Sequence, residues 1–315
     1  VSGSGSLIHA GTAAQLPTMT LGNVNTYTGS TSARAGTLVF STVKNVGDTT
    51  GSSFGNVADA TAGTIALGSG TATGTISYVG VGSSSNRNLD LAGTNGGGTI
   101  TQSGTGLLSF SGTNSASGLG SKTFSLNGST AGTGELVGAI VDNGTLGTTS
   151  LAATFALAAT TVTLSSVDGV TVGASISGTG IAPGTTITAI NTGTRVVTLS
   201  AAATAASGAV GSAYTVTGVR NITSLAKSGT GTWSLGGVNT YTGNTSITGG
   251  VLAITGTGQL GSGTYAGTIA VSTGASLNYD SSSNQTLSGI ISGAGGITKG
   301  NSSTLTLSAA NSFTG

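Results

Sequence analysis

The ionisable side chains are few: eight Lys and Arg, seven Asp and Glu and one His in 315 residues. Cleavage of a glycosidic bond on a β-scaffold needs two facing carboxylates, and other acid–base chemistry needs a positioned partner group. The acids here are Asp48, Asp59, Asp90, Glu135, Asp142, Asp168 and Asp280, and none sits in an Asp-Asp or Asp-x-Asp pair. They read as turn residues, most clearly in Asp142-Asn143-Gly144 and Asp168-Gly169. His9 stands alone and reads as a solvated side chain rather than a general base. With no cysteine there is no disulfide framework and no thiolate metal site, and the repeated Gly-Gly-x-Gly-x-Asp of a calcium-binding β-roll is missing. Gly229-Thr-Gly231 and Gly293-Ala-Gly-Gly296 lack the following helix that a phosphate loop requires. Thr-x-Thr pairs such as Thr161-Val-Thr163 and Thr304-Leu-Thr306 put two hydroxyls on one strand face. An array of them could order water or ice, but threonine is also the ordinary outward residue of a strand. The expectation is a chain with no catalytic residues, no cofactor and no metal.

What holds these residues in place must be β-structure. Glycine supplies 58 residues and proline 2, charged residues are 5%, the net charge is +1 and the mean hydropathy is +0.30. Disorder needs low hydropathy with high charge, and helices need the straight-chain residues that are scarce here. Short Val/Ile/Leu/Thr runs broken by glycine read as strands. Aromatics are 4% with one Trp, so a large aromatic core is not expected, and a thin core suits a solenoid. No basic stripe offers itself to nucleic acid, and no apolar run approaches the roughly 20 residues of a membrane span. Val1-Ser-Gly-Ser-Gly-Ser is not a signal peptide, so targeting is expected to have been removed or to lie elsewhere in a longer protein.

One stretch recurs. Ser228-Gly-Thr-Gly-Thr-Trp-Ser-Leu235, Asn239-Thr-Tyr241-Thr-Gly243 and Gly250-Val-Leu-Ala-Ile254 have a copy in Met19 to Leu21, Asn25-Thr-Tyr27-Thr-Gly29 and Gly36-Thr-Leu-Val-Phe40. The glycine spacing is seven in both. A truncated copy closes the sequence as Asn311-Ser-Phe313-Thr-Gly315, and a degenerate one begins at Asn114. Ser83-Ser-Ser-Asn86-Arg-Asn-Leu89 likewise matches Ser281-Ser-Ser-Asn284-Gln-Thr-Leu287. In the turn itself Asn is expected to bond its own backbone two residues on, Gly to take the left-handed conformation, and Tyr to cap the core with a wet hydroxyl. The asparagines are too far apart to stack as a ladder. The interval from Asn114 to Asn239 is about 65 residues too long, and within it Leu151 to Val219 is a differently styled block with a Pro183-Gly184 turn. Ala201 to Ala206 is open to two readings, a helical turn or a small-residue loop closing a strand pair, and Ser207-Gly208 immediately after favours the loop. The expected organisation is solenoid over 1–150, an inserted small β module over 151–219, and solenoid again over 220–315: about ten coils in all.

These copies resemble the passenger-associated strand repeat of bacterial autotransporters, carried by Lys227-Ser-Gly229-Thr-Gly231, Asn239 to Gly243, Thr245 and Gly250-Val-Leu252. The resemblance implies a parallel β-helix, or β-solenoid, outside a bacterial cell, although nothing here resembles the membrane barrel that ends such proteins. Val1 to Leu7 matches Ile291 to Ile297, so the chain starts and stops near one phase of the repeat. The leading expectation is a non-enzymatic structural unit of an extracellular bacterial fibre or filament, stacking end to end on copies of itself or on further repeats of a longer chain. The alternative is the stalk of an autotransporter-like adhesin facing a host or matrix surface. A carbohydrate-active enzyme would need the scattered acids to meet in one cleft.

Overall fold

A computed structural model describes residues 1–11, 15–22, 24–167, 169–208 and 212–315, and it divides into two compact units. The first comprises 1–118, 122–142 and 223–315; the second comprises 119–121 and 143–222.

The first unit is a three-walled parallel β-solenoid. Its longest wall, here the second, stacks nine strands in order: Thr18–Thr20, Gly36–Phe40, Gly74–Tyr78, Gly98–Gln102, Lys122–Gly128, Thr223–Lys227, Thr245–Ile247, Ile269–Val271 and Ile291–Ser292. The third wall carries seven strands, from Ser83–Ser85 to Gly296–Lys299. The first wall runs as five strands from Leu7–His9 to Asn114–Ser115 and resumes as three from Thr264–Tyr265 to Leu305–Leu307. All pairings between these strands are parallel and in register, as from Gly36 to Gly74 to Gly98.

Period-two alternation explains the walls. In Gly36–Phe40, Leu38 and Phe40 point inward and are fully buried, while Thr37 and Val39 face outward. Each later rung repeats the pattern, with Ile76, Ile100, Leu126, Leu225, Ile247, Ile269 and Ile291 in the core. Each such side chain contributes on the order of 1.5–3 kcal/mol by leaving water. On the outside Thr18, Thr37, Thr75 and Thr99 align on successive coils.

Regular coils are 19 to 26 residues long, as from Thr232 to Val251 and from Gly98 to Phe124. The step from Gly36 to Gly74 is longer because residues 41–64 make an excursion that ends in a one-turn helix, Ala60–Gly63, capped by Asp59. The step from Lys122 to Thr223 is 101 residues, of which the 80 of 143–222 belong to the other unit, leaving 21. One normal coil is thus interrupted without loss of register.

The aromatic side chains are more central than composition suggested. Trp233 and all six tyrosines are buried, Phe40 packs on Phe54 and Tyr78 at centroid distances of 4.6 and 5.2 Å, and Tyr241 meets Tyr265 edge-on at 5.4 Å. A coil with three short walls leaves its interior to two or three side chains, so one ring fills a large share of a rung.

The second unit is a six-stranded antiparallel sheet in the order Ser175–Ser177, Ala213–Asn221, Asn143–Thr154, Thr161–Leu164, Val196–Leu199 and Ile187–Asn191. Its own core gathers Val162, Leu164, Ile176, Ile187, Val197 and Val216 around Tyr214, whose ring meets Phe155 edge-on. Gly184 has φ +77°, which fits the third position of a turn from Ala182 to Thr185 with Pro183 second. Ala201 to Ala206 is loop. The unit begins at Asn143 rather than 151 because Asn143–Thr154 is one twelve-residue strand whose partner, Ala213–Asn221, ends at Asn221 rather than Val219.

Candidate functional site

The repeated turn is built into the wall of the solenoid. In chain order, Asn25 falls where the third wall belongs, Asn239 where the first wall belongs, and Asn311 where the second belongs. Each copy of the turn replaces one strand, and each does so on a different wall. Three second-wall strands separate Asn239 from Asn311, so the motif advances by three coils and one wall. The unit recurs without being in phase with the coil.

Each asparagine joins neighbouring coils. Asn239 is fully buried; its Oδ1 accepts the Ile140 N–H at 2.9 Å, and its Nδ2 donates to the Gly237 and Gln259 carbonyls at 2.9 and 3.0 Å. Asn311 accepts the Ile291 N–H at 2.7 Å and donates to the Ala309 carbonyl. Asn25 accepts from the Val1 amine and donates to the Gly22 and Ser53 carbonyls. The side chain therefore turns back along the chain and reaches the adjoining coils, instead of bonding two residues ahead as expected. A two-sided amide suits this task, since it can accept from one coil while donating to the next. Asn114 behaves differently: it lies in the strand Asn114–Ser115, donates to the Gly138 carbonyl, and has a buried Oδ1 with no protein partner.

The tyrosines also depart from expectation, because their hydroxyls are dry. Tyr27 bonds the Thr31 hydroxyl at 2.6 Å and Tyr241 bonds Thr245 at 2.8 Å, four residues on in each case. The Thr245 hydroxyl also meets that of Tyr265, which donates to the Gly243 carbonyl. The threonine four residues after each of these tyrosines is thus the partner that lets a phenol be buried. Phe313 takes the tyrosine position in the copy at Asn311 and packs, half-buried, on the core without needing one. The left-handed conformation falls not on Gly29 or Gly243 but seven residues later, on Gly36 at φ +80° and Gly250 at φ +62°. Gly29 is required for another reason: a Cβ there would stand 2.5 Å from the Gly5 carbonyl oxygen, and one at Gly315 the same distance from that of Gly295.

The ionisable groups are dispersed and occupied. Asp90 accepts from Ser115 and from the Ser117 N–H, Glu135 from Ser109, and Asp48 from Thr50 in its own turn, which lowers its carboxyl below the usual range. Asp142 is more than a turn residue: Oδ1 accepts the Thr223 N–H at 2.7 Å and Oδ2 accepts the N–H and hydroxyl of Thr242, which ties together the two chain segments that flank 143–222. Asp280 lies beside Gly300, and its carbonyl accepts from Asn301. Asp168 lies outside the described residues. His9 is buried, not solvated, with Nε2 2.9 Å from the Pro17 carbonyl oxygen, because the strand holding it is tucked against the start of the next wall. Among the described residues no three His, Asp or Glu side chains gather as metal ligands.

Two buried residues went unremarked in the sequence although its repeats contained them. Arg87 and Gln285 occupy the same place in the Ser-Ser-Ser-Asn match. Arg87 donates to the Lys44 and Gly55 carbonyls, and Gln285 exchanges hydrogen bonds with the main chain of Leu260. Both bind a turn to the preceding coil.

Lys227 leads the motif and is fully buried, its ammonium held by the carbonyls of Ser228, Gly229 and Gly249 at 2.8 to 3.0 Å. Burial brings Lys227 and Lys122 down from 10.5 to about 8. Burial likewise raises Tyr27, Tyr78, Tyr241, Tyr265 and Tyr279, with Tyr265 at about 12. Between pH 8 and 10.5 the unfolded chain binds more protons at these lysines than the folded one, so stability rises with pH there. Above pH 10 the unfolded phenols ionise while the buried ones resist, so stability falls. Urea midpoints are expected to peak near pH 10, and Lys227→Met to flatten the rising limb alone. A midpoint that only declines from neutral pH upward would contradict this.

Coils riveted by buried amides, phenols and ammonium groups make a parallel β-solenoid. The family model of the passenger-associated-transport-repeat matches residues 18–40, 225–254 and 297–315. The chain carries this autotransporter passenger repeat at those three segments, which include Asn25, Asn239 and Asn311 and leave out Asn114. No curated protein matches it, and neither does any solved structure.

Proposed function

We propose that this chain is a non-enzymatic structural segment of a bacterial surface passenger, a solenoid spacer that acts from outside the cell. The observation that carries the reading is the bonding of Asn239: a side chain that elsewhere could meet a ligand is spent, fully buried, on the coils before and after it. Five of the six carboxylates described, Asp48, Asp59, Asp90, Glu135 and Asp142, support it, since each is bonded to its own separate set of main-chain or hydroxyl donors. Antibody labelling of intact producing cells tests the location: labelling only after permeabilisation would refute it.

A second reading adds assembly, with coils of one copy stacking on those of another into a fibre. It is favoured by the parallel, in-register rungs of the second wall, a ladder that coils of a second copy would extend. Parallel rungs about 4.8 Å apart would then continue through main-chain hydrogen bonds. Electron microscopy of the concentrated protein decides this reading: filaments support it, and dispersed monomers at all concentrations reject it.

A further inference from the structure

Three Asn-Gly dipeptides occur in the chain, at Asn95-Gly96, Asn127-Gly128 and Asn143-Gly144. Such a pair can rearrange without an enzyme. The glycine nitrogen attacks the asparagine Cγ and forms a five-membered succinimide. The side-chain nitrogen leaves as ammonia, taking up the proton lost from the glycine nitrogen. Solvent water then opens the ring at either carbonyl, giving aspartate or isoaspartate. Glycine favours the reaction because no Cβ hinders the approach or restricts the backbone it needs.

The structure treats the three sites differently. Gly96 is buried, its N–H is bonded to the Gly70 carbonyl at 2.8 Å, and the backbone of Ala72 crowds it. Asn127 and Gly128 are paired with Thr101 and Gln102 in the second wall, and the Gly128 N–H is bonded to Asn127 Oδ1 at 2.7 Å. Gly144 is exposed with open space around it, and the ladder between Asn143–Thr154 and Ala213–Asn221 loses register between Asn143 and Gly147. Asn143 Oδ1 accepts the Thr145 N–H at 2.9 Å, which turns the side-chain carbonyl forward along the chain, toward the residues that follow it.

We propose that Asn143-Gly144 is a site of spontaneous deamidation and isoaspartate formation in the folded protein. Conversion places a carboxylate next to Asp142, and the isoaspartate form adds a methylene to the main chain where the long segment of the second unit, 143–222, begins. The site is then an irreversible timer at a position where the chain leaves one unit for the other.

Peptide mapping by mass spectrometry of the full-length protein, aged at mildly alkaline pH, tests this. The peptide holding Asn143 is expected to gain the mass of an Asn-to-Asp change and to resolve into aspartate and isoaspartate forms. Its rate should exceed those at Asn95 and Asn127 on the order of tenfold or more, since these react only through local opening. In urea-unfolded protein the three rates should converge, and Gly144→Ala should slow Asn143 alone. Equal rates in the folded protein, or faster conversion at Asn95 or Asn127, would overturn the proposal, as would an Asn143 that stays intact while the unfolded control reacts.

Discussion

Replacing Asn239 by alanine is expected to destabilise the solenoid by roughly 1–3 kcal/mol, a large effect for a polar residue. Alanine leaves the Ile140 N–H without a partner in a site closed to water, whereas the Gly237 carbonyl keeps the main-chain bond from Gln259 and the Gln259 carbonyl keeps the one from Asn239 itself. Each buried orphan costs about 1–3 kcal/mol. Solenoid stability is a sum of neighbour terms, so the loss should open coils locally before it unfolds the whole, and a single midpoint can understate it. Hydrogen exchange supplies the sharper readout: the Ile140 amide should lose protection first. Asn244→Ala is the control. That side chain is exposed and makes one bond, to the Thr268 N–H, so its loss should cost below about 1 kcal/mol. If the two alanine variants prove equally stable, the asparagine of the motif is not an inter-coil rivet.

The all-β class and the solenoid were legible because glycine punctuates runs that alternate with period two, and that pattern has few other solutions. The insertion was legible as an interval too long for the repeat. Its edges were not: Asn143 to Ser150 reads as more of the same low-complexity sequence, and only pairing with Ala213–Asn221 makes it the first strand of the second unit. The turn was harder. Asn, Tyr and Gly were the right residues, but their partners are remote, with Ile140 lying 99 residues from Asn239. The period of the motif also differs from that of the coil, so each copy meets a different wall and no count of letters reveals it. A clue to the buried phenols was present in the spacing, since Thr31 and Thr245 each follow a tyrosine by four residues. Arg87 and Gln285 could have been found as well, because a polar residue at matching places in a repeat that ends in leucine points to shared burial. His9 offered no such pattern, and its partner at Pro17 follows from how one corner folds.

A valine at Gly134 is expected to cost about 3 kcal/mol or more and to be rescued by shrinking Trp233. The two residues are register partners on adjacent coils of the third wall, and a Cβ added at Gly134 would stand only 2.3 to 2.5 Å from Cδ2, Cε2 and Cε3 of the indole. The indole cannot slide aside freely: it is fully buried and its Nε1–H donates to the Asn127 carbonyl at 2.8 Å. Rungs about 4.8 Å apart leave no room for a side chain beneath so large a ring, so Trp233 requires the glycine below it. Trp233→Leu alone should cost about 2–4 kcal/mol, through the cavity it leaves and the orphaned carbonyl. In the double variant Gly134→Val, Trp233→Leu, the valine fills the space the indole vacates, and the combined loss should fall short of the sum of the two single losses by about 1–3 kcal/mol. Urea unfolding of the four proteins measures the coupling. Strict additivity would mean that the ring and the glycine do not share one volume, and that the single tryptophan is placed by something other than this size complementarity between rungs.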